Sequence, residues 1–258
     1  GRSVRGVPSP MNRPETIEET AELVARRGGV GIPVRVDHTQ KDEVEALFER
    51  VGREQAGRLD ILVNDIWGGD PLATWGKPFW EHDLDAGLQM QRLAVTTHLI
   101  TSWYGVPLMV ARRRGLVVEI TDGDGEGYRG SLYYDLAKAS VNRLALAQAE
   151  DMRPFGVAAV GLTPGFLRSE AMLDHFGVTE ANWRDAASKD PHFIASETPA
   201  YVGRAVVALA ADPDVMAKSG RVLTSWNLAR DYGFTDVDGT QPDWGTYFRD
   251  HVRTTSSP

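Results

Sequence analysis

The chain has 258 residues, 42% of them hydrophobic and 25% charged, with a formal net charge of -8 and no cysteine. This composition is typical of a globular domain, and it excludes disulfides and cysteine metal sites. The acidic balance argues against nucleic acid and anionic membranes as partners. No apolar run approaches the roughly 18 residues of a membrane span, and the first residues lack the apolar region of a signal peptide. We therefore expect a cytoplasmic protein with no membrane partner.

Strand and helix patterns alternate along the chain. Short apolar runs predict buried strands, and apolar residues at helical spacing predict amphipathic helices. This alternation indicates an α/β fold with a Rossmann-like doubly wound parallel sheet. We predict a single domain over residues 1–248 and a flexible tail over residues 249–258. The predicted strands are 30–36, 59–65, 115–121, 157–163 and 220–226, and the two long predicted helices are about 84–113 and 133–153.

The stretch SLYYDLAKAS, residues 131–140, holds two adjacent tyrosines and one lysine. Tyr134 and Lys138 are four residues apart, so a helix places them on one face, whereas Tyr133 points elsewhere. An ammonium group beside a phenol favours the phenolate and lowers the tyrosine pKa from about 10. This spacing makes Tyr134 a candidate general acid or base. Many helices carry the same pair without any chemical role, so its surroundings must decide.

Loops at the carboxyl ends of strands are where doubly wound folds bind ligands. Three such loops stand out, with the sequences VNDIWGGD, TDGDGEGYRG and LTPGFLRSE. The second resembles the start of a calcium loop, but Tyr133 stands where the twelfth-position glutamate should be. The same loop matches G-x-G-x-x-G, but the next strand does not end in the expected acidic residue. We expect a flexible polar loop there and no metal site.

These pieces together resemble the short-chain dehydrogenases/reductases. That family has an Asp after its third strand, an N-N-A-G turn, a Ser after its fifth strand, Y-x-x-x-K and then P-G. This sequence has Asp37, VNDI, ITD, Tyr134 with Lys138, and Pro164-Gly165 in that order. The resemblance covers about residues 1–240. Its later part looks closest to the subgroup called dehydrogenase/reductase member 1.

The resemblance implies roles for the candidate site residues. Tyr134 would protonate a substrate carbonyl oxygen, while Lys138 would hold the nicotinamide ribose and lower the Tyr134 pKa. Asp37 would meet the adenine amine, and Asn64 would lie beside the adenosine ribose. The residues expected to frame the nicotinamide carboxamide are Pro164, Gly165, Leu167 and Ser169.

The cofactor implied by the resemblance is NADP, with NAD less favoured. Arg2 and Ser3 match the end of the family's second strand, where a basic residue pairs with the 2′-phosphate. The T-G-x-x-x-G-x-G loop and the first strand–helix–strand unit do not occur in the sequence. We therefore expect roughly 40 further residues before Gly1 in the native protein, the usual length of such a unit.

Two further departures from the family affect the chemistry. The catalytic Ser aligns with Asp122 or, one residue back, with Thr121. Thr121 could donate a hydrogen bond to a carbonyl, whereas an ionised Asp122 could only accept one. The Asn of the long helix falls near Ala94, so the usual proton-relay water would lack its anchor.

The function that we expect is an NADP(H)-dependent oxidoreductase that interconverts a carbonyl and an alcohol. The partner that we expect is a small-molecule carbonyl or alcohol. The segment AMLDHFGV and the residues Trp67, Trp75, Trp80 and Trp103 suggest a bulky, partly aromatic pocket for it, although each tryptophan alone is better explained by the core or an interface. The alternatives are an altered relative that binds nucleotide without hydride transfer, and a dehydratase or isomerase that uses Tyr134 as base. The resemblance also predicts a homodimer or homotetramer that pairs through the two long helices.

Overall fold

The structure is a computed structural model that describes residues 1–7, 11, 13–123 and 127–253. The strands of these residues form one sheet in the order β1-β2-β3-β4, and every neighbouring pair is parallel. This confirms the predicted α/β fold with a parallel sheet. The strands are β1 (Ile61–Asn64), β2 (Gly115–Ile120), β3 (Val157–Thr163) and β4 (Val222–Thr224).

Helices connect consecutive strands and cover both faces of the sheet. Parallel neighbours need such crossover connections, because a tight turn can join only antiparallel strands. A π-helical segment, Arg92–Thr96, joins α3 and α4 into one continuous helix. The helices are α1 (Ile17–Arg26), α2 (Lys41–Glu54), α3 (Leu84–Gln91), α4 (Thr97–Arg112), α5 (Leu132–Met152), α6 (Glu170–Phe176), α7 (Pro199–Ala211), α8 (Ser225–Tyr232) and α9 (Trp244–Tyr247).

The core consists of two layers, one on each face of the sheet. Alternate strand residues point to opposite faces, so Val117 and Ala159 pack with α2, α4 and α5. Their neighbours Val118 and Val160 pack with α7 and α8 on the other face. Every residue of β3 is buried, which explains why its sequence is an uninterrupted run of apolar and small residues.

The predicted strand over residues 30–36 is not a strand in this structure. Val30 is 87% exposed and Ile32 is 51% exposed, whereas Val36 is buried in the core and Val34 packs beside it. The apolar pattern is therefore buried only at the end of the segment. Among the described residues, the backbone hydrogen bonds that resemble strand pairing join this segment to Gly1. The Val36 backbone N–H donates to the Gly1 carbonyl oxygen at 2.9 Å, and the Gly1 amino group donates to the Val34 carbonyl oxygen at 3.4 Å. A single bridging residue is too little to define a strand.

Two further sequence expectations can be compared with the structure. The continuous helix Leu84–Arg112 is long and apolar enough to cross a membrane by length and composition alone. That is weak evidence, because a core helix of a soluble protein passes the same test, and Met90 and Met109 of this helix are fully buried. The first residues of the predicted flexible tail are helical, since Phe248–Val252 forms a π-helical turn. Residues 254–258 lie outside the described residues.

Candidate active site

The phenol of Tyr134 lies against the carboxylate of Asp122. Tyr134 is in the first turn of α5, and Asp122 lies two residues after the end of β2. The end of the strand and the start of the helix therefore meet here. The Tyr134 hydroxyl donates to Asp122 Oδ2 at 2.7 Å. Arg129 Nη2 donates to both oxygens of the same carboxylate, at 2.7 Å to Oδ1 and 2.6 Å to Oδ2. The three side chains form one hydrogen-bonded cluster.

Burial and the Asp122 carboxylate raise the pKa of Tyr134 well above its ordinary value. This is opposite to the sequence expectation that Lys138 lowers it. A negative carboxylate that accepts the phenolic proton stabilises the neutral phenol, and together with burial it outweighs the opposing charge of Arg129. In the structure, Tyr134 is therefore held as a proton donor.

Lys138 lies one helical turn after Tyr134 and turns its ammonium toward the same cleft. Its Nζ is 4.0 Å from the centre of the Trp67 ring and 5.5 Å from the centre of the Tyr134 ring. Burial lowers the pKa of Lys138. Among the described residues this ammonium makes ring contacts but no hydrogen bond or ion pair. A ligand with hydroxyl groups, such as a cofactor ribose, fits this donor.

The structure separates the two tyrosines and the two candidates for the family serine. The ring of Tyr133 covers Gly87 of α3, where an added Cβ would lie 2.4 Å from the ring, so this tyrosine is part of the helix packing. Thr121 is 2% exposed and its hydroxyl donates to the backbone carbonyl of Lys138 at 3.2 Å. The Thr121 hydroxyl is thus used by the helix, and Asp122 is the residue that faces Tyr134.

Aromatic rings form the walls around Tyr134. The Trp67 and Trp75 rings lie 5.5 Å and 5.2 Å from the Tyr134 ring, whereas Trp80 and Trp103 are 72% and 76% exposed. A cavity of about 840 Å³ opens beside this cluster. Its lining comes from the ends of β2 and β3, from α5 and from the C-terminal helices, and includes Asp122, Arg129, Lys138, Asn142, Thr163, Pro164, Trp226, Trp244 and Arg249.

A buried polar network fixes the turn that carries Trp67. Asn64 is fully buried, and its amide donates to Glu119 Oε1 at 2.9 Å and to Ser102 Oγ at 3.0 Å. His98 Nδ1 lies 2.6 Å from Glu119 Oε2, and its Nε2 lies 3.0 Å from the Ile66 carbonyl oxygen. Both ring nitrogens face oxygen atoms, and these two contacts fix the orientation of the ring.

This network changes the interpretation of two sequence positions. The Asn64 side chain lies in the core, so only its backbone can face a ribose. Ala94, where the family has an asparagine, lies in the π-helical segment and is buried. His98, one turn later, bonds to the carbonyl next to Trp67 and so anchors the turn.

Of the four candidates for the adenosine end of a cofactor, two are in direct contact. Arg2 Nη1 is 3.4 Å from Asp37 Oδ2, and both side chains are partly exposed. The other Asp37 oxygen accepts from the backbone and side chain of Thr39, at 2.9 Å and 2.7 Å. Ser3 uses its carbonyl to accept from Ile17 at the start of α1. Arg2 and Asp37 are thus brought together as an ion pair, which sequence reasoning did not anticipate.

The turn after β3 is held by a buried carboxyl group. Glu197 is fully buried, and its Oε2 accepts from the Gly165 backbone N–H at 2.9 Å and from the Ser225 hydroxyl at 2.7 Å. Its Oε1 has no hydrogen-bond partner among the described residues. Any side chain at position 165 would collide, since a Cβ would lie 2.5 Å from Trp244 Cβ and 2.9 Å from Glu197 Oε2. Burial raises the pKa of Glu197 to about 7.

The remaining residues of the predicted carboxamide frame stand at the edge of this turn. Pro164 lines the cavity, and Leu167 forms a single bridge with Glu197. Ser169 caps α6, with its hydroxyl oxygen accepting from the Met172 backbone N–H at 3.4 Å. Their placement matches a loop that follows a strand end, and their contact with a nicotinamide stays a prediction.

The loop between Gly123 and Gly127 lies outside the described residues, and with it the central part of the calcium-like and G-x-G-x-x-G patterns. Within the described ranges, no group of three His, Asp or Glu side chains could hold a metal ion. The loop's beginning is fixed, because the Gly123 backbone N–H donates to Thr163 Oγ1 at 2.9 Å and its carbonyl accepts from Asn142 at 3.2 Å.

Sequence reasoning missed three of the side chains that shape this site. Arg129 lies in a loop that we interpreted only as polar. Its spacing of five residues from Tyr134 does not match a helical face, so the sequence did not predict that the two side chains meet. Glu197 and His98 gave none either, because their partners Gly165, Ser225 and Glu119 are distant in the chain. Only the sheet brings these pairs together.

The chain was compared with known proteins. The family model described as short chain dehydrogenase matches residues 10–176. The mouse protein dehydrogenase/reductase SDR family member 1 is 38% identical over 229 residues, which cover 87% of this chain and 73% of that protein.

Solved structures share the fold at lower identity. A short chain dehydrogenase from Mycobacterium thermoresistibile superimposes with a TM-score of 0.74 at 23% identity, over 93% of this chain and 79% of that one. ElxO with NADP bound gives a TM-score of 0.62 at 20% identity, over 74% of this chain and 75% of that one.

The raised pKa of Glu197 predicts a pH dependence of stability. Its pKa is about 7 in the folded chain against an ordinary value of 4.5, so the folded state binds more protons than the unfolded state between these values. The free energy of unfolding should then fall as pH rises from about 4.5 to about 7, by roughly 3 kcal/mol from this group. Urea denaturation at pH 5 and pH 8 measures the fall.

Glu197→Gln should lose this part of the pH dependence, because a neutral amide keeps the acceptor for Gly165 and Ser225 without titrating. The exposed Glu45 offers a matched control, and Glu45→Gln should keep the wild-type pH dependence. Equal falls in stability for the wild type and Glu197→Gln would show that Glu197 is not the titrating group.

Proposed function

We infer the finer function from the family, since the chain belongs to the short-chain dehydrogenases and is an oxidoreductase that uses NAD or NADP. We propose that it interconverts a carbonyl and an alcohol on a bulky organic substrate, with NADP(H) as cofactor. The observation that carries the proposal is the convergence of Tyr134 and Lys138 on one cleft, where Trp67 and Trp75 provide apolar ring faces. Aromatic faces of this kind suit a flat or bulky substrate.

The residues of the cleft divide the chemistry among them. A bound nicotinamide supplies the hydride, which goes to the carbonyl carbon. Tyr134 gives its phenolic proton to the carbonyl oxygen, so that the carbonyl becomes an alcohol. Lys138 holds ribose hydroxyls with its ammonium, which makes no other hydrogen bond among the described residues. Its positive charge stabilises the Tyr134 phenolate that forms when the proton leaves.

Tyr134→Phe tests the proton donor. Loss of a general acid lowers turnover by about 10²–10⁴-fold, while affinity for NADPH should stay nearly unchanged because the phenol contacts the substrate. The measurement is NADPH oxidation with a panel of aromatic aldehydes and ketones, together with a fluorescence titration by NADPH. Tyr133→Phe is the matched control and should retain activity.

Two outcomes would contradict the assignment. Inactivation by Tyr133→Phe alone would move the chemistry to the other tyrosine. A wild-type protein that binds NADPH but reduces no carbonyl in the panel would favour the alternative of nucleotide binding without hydride transfer. This alternative is favoured by the Asp122 carboxylate, which lies beside Tyr134 where the family is expected to have a serine and which cannot donate a hydrogen bond when ionised.

The preference for NADP(H) is proposed from Arg2. A guanidinium beside a 2′-phosphate makes a charge-assisted contact worth about 1.5–3 kcal/mol, or roughly tenfold to a hundredfold in affinity. NADPH should therefore bind at least about tenfold more tightly than NADH in fluorescence titrations. Arg2→Ala should remove most of that difference and spare NADH, whereas Arg5→Ala, which changes an arginine paired with Glu22, should not. Equal affinities for the two cofactors in the wild type would overturn the preference.

We also propose a homodimer or homotetramer that pairs through the long helices. Five apolar side chains on α3, α4 and α5 are between 46% and 76% exposed. Four of them form two pairs on the continuous helix, and the four-residue spacing within each pair places its two side chains on one side. A soluble monomer rarely leaves such a stripe uncovered. We call it the apolar stripe; its residues are Leu84, Leu88, Leu99, Trp103 and Leu136.

Trp103→Glu should weaken this assembly, because it places a charge at the most exposed side chain of the apolar stripe. Light scattering at micromolar concentration should give a dimer or tetramer mass for the wild type and a smaller mass for the variant. Trp80→Glu is the control, since Trp80 is 72% exposed but lies outside α3, α4 and α5. A monomeric wild type would remove the proposal.

A further inference from the structure

Two donors converge on a single oxygen atom in the cleft. The Tyr134 hydroxyl and Arg129 Nη2 lie 2.7 Å and 2.6 Å from Asp122 Oδ2. A carbonyl oxygen that gains negative charge during reduction needs this arrangement, with hydrogen-bond donors about 2.7–3.1 Å away. Asp122 Oδ2 therefore stands in the position that suits a substrate oxygen.

Among the described residues, neither candidate for the serine position offers the second donor, and the proposed mechanism already uses Lys138 to hold the cofactor ribose. Asp122 is held by a guanidinium, and an ionised carboxylate only accepts hydrogen bonds. The Thr121 hydroxyl is buried and donates to the carbonyl of Lys138. Arg129, in contrast, is always charged and carries five N–H groups, and it lines the same cavity as Lys138.

Arg129 is also held in place. Its backbone N–H donates to Asp135 Oδ1 at 2.9 Å, and Asp135 follows Tyr134 directly on α5. The loop end that carries the guanidinium is thus tied to the helix that carries the phenol. The Arg129 side chain is 39% exposed, so this backbone tie and the ion pair with Asp122 are what hold it beside the phenol.

We propose that Arg129 is a catalytic residue that donates the second hydrogen bond to the substrate carbonyl oxygen, and that this oxygen displaces Asp122 Oδ2 when substrate binds. The inference rests on the proposed carbonyl reduction and names the group that replaces the missing serine hydroxyl. The proton still comes from Tyr134 and the hydride from NADPH. Arg129 contributes charge and a hydrogen bond, and it transfers no proton.

The test uses 4-nitrobenzaldehyde as the probe carbonyl in two measurements. One is reduction by NADPH, and the other is calorimetric binding of the aldehyde in the presence of NADP⁺, where no turnover occurs. Arg129→Met should lower turnover by about 10²–10³-fold, the usual effect of losing one such donor. It should also weaken aldehyde binding, and it should leave NADP⁺ affinity unchanged.

A double variant separates this role from a structural one. Asp122→Ser places a hydroxyl donor beside Tyr134, so Arg129→Met combined with Asp122→Ser should recover much of the lost turnover and aldehyde binding. Arg143→Met is the matched control, because Arg143 is exposed on α5 outside the cavity lining.

The outcomes distinguish this inference from the proposed function. A wild type that binds the aldehyde without reducing it would contradict carbonyl reduction, while the binding data would still decide whether Arg129 holds the oxygen. Full activity and binding in a cooperatively folded Arg129→Met would overturn the inference. So would an Arg129→Met defect that Asp122→Ser does not relieve, or a wild type that neither binds nor reduces the probe.

Discussion

The site depends on the parallel arrangement of the four strands. Because all four run in one direction, their carboxyl ends meet at one edge of the sheet, and the residues that follow them come within hydrogen-bonding distance. Asp122 follows β2 and Gly165 follows β3, while the turn after β1 brings Trp67 to Lys138. The full burial of β3 between two helical layers keeps these ends in register.

Charge within the cleft is balanced locally. Arg129 forms an ion pair with Asp122, and the His98 ring lies against Glu119 deeper in the core. A buried carboxylate without a partner would cost several kcal/mol or take up a proton. Glu197 illustrates the second outcome, since it lacks a cation and its pKa rises to about 7. The site thus combines two paired carboxylates with one that titrates near neutral pH.

The Tyr134 environment favours the protonated phenol, which the proposed carbonyl reduction needs as its acid. Burial and Asp122 keep the phenol protonated, which suits the direction in which a carbonyl is reduced. In the reverse direction the phenol must first lose its proton, and the same carboxylate opposes that loss. Substitution of a serine by an aspartate therefore changes the energetics of the acid as well as the set of donors.

The sequence alone determined the parallel α/β fold, the strand positions near residues 61, 116, 157 and 222, and the choice of Tyr134 over Tyr133. These features follow from local periodicity and from a four-residue helical spacing, which a sequence states directly. The conformation of residues 30–36 could not be predicted in this way. An apolar run shows only that a strand could form and be buried, and it does not show whether a neighbouring strand is there to pair with it. The ion pair of Arg2 with Asp37, the hold of Glu197 on Gly165 and the contact of Arg129 with Asp122 were decided by the tertiary structure. Each joins groups whose meeting depends on how strands and loops pack, and no local pattern records that distance.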